Sequence, residues 1–283
     1  MYGTRVLVSV LVLVVPVLVL AAWAVHTYRR AGERADGWAA ERGLELTEDG
    51  RRLVTWHLRT SRVLRVLGAI AGVVLTPLVA LAFGHQGIPV WFQLPAPFVG
   101  YLVGVVYAEV SLRRPTAGRA SMRPRELRGY LSPWALRSQR RTALLAAVMS
   151  AAALVVPTRD PIVLSAAGRV ALAVAVLVTW AGVETVQRWL VRRPQPFVSS
   201  TVVEADDAVR RQSVHSIAGA ATSIQWLLAG AALFALGGSE VAALRATTWL
   251  PALACWALAV VCCVRFERGR IQIRQVDEGV PAC

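Results

Sequence analysis

The sequence predicts an all-α, polytopic transmembrane helix bundle of about seven spans, with the N-terminus outside and the C-terminus cytoplasmic. Three observations predict it. Of the 283 residues, 56% are apolar, more than a soluble domain of this length uses. Seven apolar runs are long enough for helices across a hydrocarbon core of ~30 Å: 6–25, 64–83, 95–111, 142–157, 161–184, 215–237 and 246–264. Finally, arginine alternates between the connections. Nine lie in 26–65, nine in 112–141, five in 187–215 and four after 264, whereas the intervening connections hold only Arg5, Arg159 and Arg245.

Every one of the 31 basic residues is Arg, and Lys and Asn are absent, which points to a high-GC genome. A formal charge of +14 on a soluble protein would suggest nucleic acid. Here the positive-inside rule accounts for it, so the partner implied is a lipid bilayer with anionic headgroups on its cytoplasmic side, and nucleic acid is not implied. The location expected is a bacterial cytoplasmic membrane.

In chain order, 1–25 reads as a first transmembrane helix. Ala22-Trp23-Ala24 resembles a cleavage site, but cleavage would break the charge alternation, so the helix is expected to be retained. Segment 26–63 reads as an Arg-rich cytoplasmic collar. It comprises a helix over 31–42, a turn at Gly43, an extended Leu44–Thr47 and a second amphipathic helix with Leu53, Trp56 and Val63 on one side. Residues 64–264 form a six-helix membrane bundle of three hairpins, with cytoplasmic loops 112–141 and 187–215, and 265–283 is a cytoplasmic tail. Gly68-x-x-x-Gly72 and Gly100-x-x-x-Gly104 give the second and third spans close-packing faces. Ser132-Pro133 reads as an N-cap followed by proline at the first helical position, so the fourth helix starts before its apolar run. Thr201-Val-Val-Glu204 fits a capping box that opens a helix near Val202, running unbroken into the sixth span. Asp206 and Asp207, each with arginine at i+4 (Arg210, Arg211), sit on its protruding part as candidate docking residues.

Four polar residues are candidates for a pathway or for ion pairs. Glu109 and Glu184 stand near cytoplasmic helix ends, where a carboxylate opposes the helix dipole. Each is either a contact at a pathway mouth or the partner of its i+4 arginine, Arg113 or Arg188. Arg169, inside the fifth span, is either an anion or gating contact or snorkels to the outer headgroups. Gln225, mid-span in the sixth, lines a path or makes an interhelical hydrogen bond. The exits Glu109…Pro115 and Glu184…Pro194 form a weak internal repeat.

Catalytic and metal-binding patterns are missing. The four Cys (255, 262, 263, 283) form no C-x-x-C, and the four His (26, 57, 85, 215) lie at or outside span ends. H-E-x-x-H, G-x-x-x-x-G-K-[ST] and G-x-S-x-G are absent, and no Ser–His pair is expected at matched depth. No cofactor, metal or catalytic residue is therefore predicted. The first functional expectation is a non-catalytic membrane component, such as a permease subunit or scaffold, working with a membrane or cytoplasmic protein partner. The second is an autonomous small transporter using intramembrane Glu residues, and the third an intramembrane enzyme.

Tyr101-Leu-Val-Gly104 to Tyr107-Ala-Glu109, running into Arg113-Arg114-Pro115, resembles uncharacterised multi-pass membrane proteins of high-GC actinobacteria. So does Asp206-Asp-Ala-Val-Arg210-Arg-Gln-Ser-Val-His215. The resemblance implies a source and an architecture, and brings no activity or site residue with it.

Overall fold

Long helices run back and forth through the structure, a computed structural model that describes residues 18, 21, 22, 25, 26, 28–82, 95–111, 119, 120, 126–157, 166–193, 196, 197, 200–239 and 241–268. Among them are eight α-helices: α1 (Ala31–Ala40), α2 (Glu48–Ala82), α3 (Ala96–Ser111), α4 (Pro133–Val155), α5 (Ala166–Arg192), α6 (Ser200–Leu236), α7 (Ala242–Thr247) and α8 (Trp249–Arg268). A two-residue antiparallel ladder pairs Arg119–Ala120 (β1) with Pro196–Phe197 (β2), tying the loop after α3 to the link between α5 and α6. The first expected span lies largely outside the described residues, as do Arg113 and Cys283.

Glycine sets the first hairpin. A Cβ built on Gly68, Gly72, Gly100 or Gly104 would fall closer than 3.0 Å to the backbone of the facing helix: Gly100, Ala96, Gly68 and Leu64 respectively. α2 and α3 therefore touch backbone to backbone along both G-x-x-x-G faces, in antiparallel register. Ser132 caps α4, its hydroxyl accepting from the Ala135 amide at 3.2 Å with Pro133 next in the chain. The buried stripe of α4 (Ala135, Gln139, Thr142, Ala146, Ser150, Ala153) repeats every three or four residues and is made of small or polar side chains.

α6 is the hub. Of its apolar window 83% is buried, against 17% for α5 and 22% for α8. Small residues allow that enclosure. Gly219 lies against Phe266 of α8 and Gly230 against Trp256, while Ser223 donates to the Ala259 carbonyl at 2.8 Å. The outer helices carry their large apolar side chains outward: Leu144 and Val148 on α4, Leu177 and Val178 on α5, Val260 and Val261 on α8 are all exposed. Such a surface needs an apolar solvent. α5, α6 and α8 are long and apolar enough to cross a membrane; α3 is apolar but shorter.

Two expectations change. The second collar helix is not a separate element, because α2 runs without a break from Glu48 to Ala82, across the expected boundary at 63/64. Its inner face is not Leu53, Trp56 and Val63. Val54, His57, Leu58, Ser61 and Arg65 are buried, and Trp56 is exposed. With an apolar exterior, the polar stripe at i, i+4, i+8 turns inward. Elsewhere in the segment, α1 ends at Ala40, two residues before the expected 42, Gly43 takes a positive φ (63) in the turn that follows, and 44–47, expected to be extended, has no regular secondary structure. α1 packs Ala35, Trp38 and Ala39 against Val54 and Leu58 of α2 and Ala205 and Val209 of α6.

Candidate functional site

One end of the bundle gathers the start of α2, the end of α3, the start of α4, the end of α5 and the start of α6. Nearly all the described arginines lie there, and inside that end is a layer of buried polar groups. Its centre is Glu109 of α3, 1% exposed. The same carboxylate oxygen receives the hydroxyl of Ser213 from α6 and stands 3.6 Å from Nδ1 of His57 on α2. Ser213 and His57 are themselves 0% exposed. The Glu109 backbone carbonyl accepts from Arg193 at 2.7 Å. Ser61 and Arg65 continue the His57 stripe one and two turns on, with Arg65 reaching the Tyr101 hydroxyl of α3 at 3.5 Å.

Around this centre the polar groups fasten helix ends. Arg210 of α6 bonds Asp206 at 2.8 Å and donates to the carbonyls of Leu190 (3.2 Å) and Arg193 (2.6 Å). A cation thus sits on the carbonyl-rich C-terminus of α5, where the helix dipole favours it. Arg169 repeats the device at the other end: it donates to Ala153 (3.0 Å) and Val156 (2.9 Å), closing the C-terminus of α4. Gln139 and Gln187 exchange hydrogen bonds at 3.2 and 3.0 Å, so two buried amides satisfy each other. Gln225 donates to the Val176 carbonyl of α5 at 3.1 Å, an interhelical bond in mid-span. Trp38 of α1 donates to Gln212 at 2.5 Å, and Arg42 lies over the Trp38 ring at 4.2 Å. Burial lowers the Arg42 pKa and nearby Glu41 opposes the shift, so the guanidinium stays charged.

Several site expectations take a different form. Glu109 faces inward between three helices, and its expected partner Arg113 is outside the described residues. Glu184 does pair with its i+4 arginine, Arg188 at 2.5 Å, and also with Arg140 of α4 at 3.0 Å. Asp206 and Arg210 are 4% and 0% exposed, with Arg210 turned onto the end of α5, so they present no docking surface. Asp207 accepts from the Tyr130 hydroxyl at 2.9 Å, which ties the helix to the loop before α4, and Arg211 is half-buried. Arg169 meets the backbone carbonyls at the end of α4. His57 and Ser213 share one depth because α2 continues through the supposed collar.

Sequence reasoning missed His57, Ser61, Arg65, Gln139, Gln187 and Ser213. The i, i+4, i+8 spacing of 57, 61 and 65 was the available signal, visible only if the two halves of α2 are read as one helix. A serine–histidine–carboxylate set invites comparison with a hydrolase. The roles do not match: the Ser213 hydroxyl bonds Glu109 and the Val209 carbonyl and, among the described residues, no imidazole. Among the described residues no cluster of His, Cys, Asp or Glu could hold a metal. Comparison with protein-family models, curated proteins and solved structures finds no match.

Proposed function

We propose that this chain is a small, non-enzymatic carrier of a bacterial cytoplasmic membrane, with seven spans, the N-terminus outside and the arginine-rich end in the cytoplasm. One observation carries the carrier reading: the Glu109 carboxylate is held at 1% exposure between α2, α3 and α6, against an imidazole and a hydroxyl. Ionisable groups inside a membrane bundle are costly and are retained where protons or ions are exchanged. His57 and Glu109 form a pair that can hold a proton on either partner, and Ser213 supplies the hydroxyl that follows the change. Glu184, neutralised by two arginines near the surface, is a structural ion pair in this reading. The topology is supported by the up-and-down packing, which brings every described arginine-rich connection to one end.

The test is uptake into proteoliposomes of the full-length protein under an imposed pH gradient, with a panel of radiolabelled amino acids, sugars and organic cations. Uptake of at least one solute, abolished by E109Q and retained by E184Q, is the expected result. Equal loss in both variants, or no driven uptake of any solute, sinks the carrier reading. A second reading, a permease subunit or scaffold, is favoured by the α1 collar laid over α2 and α6 at the same end. Affinity capture from native membranes that returns another subunit in near-equal amount would carry it instead.

A further inference from the structure

We propose that the groove between the 127–129 turn, the start of α4 and the end of α5 is a specific site for an anionic phospholipid of the leaflet at the arginine-rich end. This rests on the membrane reading above. Two cavities of about 250 and 300 Å³ lie side by side there and share Arg128, Leu136 and Arg140 as walls. Arg188 and Arg192 complete the first and Arg137 the second.

The charge balance favours an anion. Of the five arginines, Arg140 and Arg188 are already matched to Glu184. Among the described residues Arg137 donates only to the Pro133 carbonyl, and Arg128 and Arg192 make no hydrogen bond or ion pair. Glu126, on the rim of the first cavity, offsets one charge, so the groove stays positive. Guanidinium forks suit phosphate oxygens, bidentately where two converge.

The apolar part of the lining selects a lipid over a soluble anion. Leu136, Leu131 and Val191 back the arginines with hydrocarbon, which free phosphate has no use for. Near the same ends of α4 and α5, Trp134, whose ring packs on Phe266 of α8, and Trp189 are 48% and 45% exposed. Half-exposed tryptophans at helix ends mark headgroup depth. A phosphate at that depth, with its glycerol and acyl chains running along the exposed face of α4, fits both kinds of wall.

The full-length protein in mild detergent is titrated with phosphatidylglycerol and, separately, phosphatidylcholine, reading bound lipid by native mass spectrometry. Phosphatidylglycerol is expected to bind preferentially. R128Q/R137Q/R192Q, which leaves both Glu184 pairs in place, is expected to weaken it at least about tenfold, given a substantial contribution from each surface arginine. R29Q/R30Q/R34Q, with the same charge loss, is expected to retain it. Equal binding of the two lipids overturns the site without need of any variant, as does equal weakening in the control. Competition by inorganic phosphate at matched concentration overturns the lipid assignment in favour of a soluble anion. Carbonate extraction of native membranes tests the membrane reading by itself: a chain that washes off sinks both, whereas a retained chain without lipid preference sinks this proposal alone.

Discussion

Gly100→Ala and Gly182→Ala are the same chemical change in two helices of one protein, and the structure gives them opposite signs. At Gly182 of α5 a Cβ meets nothing within 4 Å. The only effects are helix propensity and reduced freedom of the unfolded chain, together a gain of up to about 1 kcal/mol. At Gly100 the same propensity gain is opposed by sterics. The new Cβ would stand 2.8 Å from the Gly68 carbonyl carbon, and closer still to its oxygen, where ordinary contact begins at 3.4 Å. Both neighbours are backbone, so no rotamer relieves the clash; α2 and α3 must part by roughly 1 Å along their shared face. Overpacking of this kind costs about 1–3 kcal/mol, and the separation also loosens Gly72 against Ala96 and Gly104 against Leu64. A net loss of about 1–2 kcal/mol is expected for G100A, and a small gain for G182A. G68A/G100A should cost less than the sum of the two single changes, because helices already parted accommodate the second methyl. Unfolding free energies from steric trapping in mild micelles compare wild type, G68A, G100A, G182A and G68A/G100A. G100A at or above wild-type stability would refute the backbone-to-backbone contact, and with it the register that brings Glu109 to His57.

Four further outcomes follow from other parts of the molecule. R210M removes the partner of buried Asp206 and the donor to the α5 carbonyls, and is expected to cost about 3–5 kcal/mol by the same assay, with D206N/R210M recovering part of it; a loss under about 1 kcal/mol would contradict the burial of the pair. R169M frees the last carbonyls of α4 and should raise amide hydrogen exchange at 153–157 while leaving the arginine-rich end protected; uniform protection would show that the cap contributes nothing. S213A deletes the hydroxyl on Glu109 and should cost about 1–3 kcal/mol, while S216A, whose hydroxyl has no carboxylate acceptor among the described residues, should cost less; equal losses would leave the Ser213 contact without weight. W38F keeps an aromatic ring on α1 but loses the bond to Gln212 and part of the indole's packing, so protease cleavage near Gly43 should speed up several-fold, and an unchanged rate would mean that neither holds the collar.

The helices were legible because their signals are local. Ser132-Pro133 starts α4, the two G-x-x-x-G faces meet, and α6 runs from Ser200 through the sixth apolar run, each readable from spacing or caps. The site was less legible because its residues are placed by which side of a helix faces inward. In a soluble collar Trp56 would be inside and His57 out. In a bundle with an apolar exterior the assignment reverses, and periodicity alone is the same in both cases. Asp206 and Arg210 misled for the related reason that an i,i+4 ion pair looks identical on a wet surface and under a neighbouring helix. Arg169 and Arg210 reach carbonyls of other helices, at separations of 16 and 17 residues for Ala153 and Arg193, which no pattern in one sequence reveals.

The enclosure of α6 also bears on how the chain is made. The helix that every neighbour surrounds is next to last among the long ones, and is the least apolar of the three that could cross a membrane unaided. When it leaves the ribosome, α2 to α5 are already made and can receive Ser213, Gln225 and Arg210 on one side. The side that later meets Phe266, Ala259 and Trp256 must wait for α8. A nascent chain stalled before Trp249 therefore holds a helix with one polar, small-residue flank turned to lipid. That is the intermediate membrane quality control would recognise, so changes in α8 that delay its arrival should lower the amount of protein made before they alter anything the finished protein does.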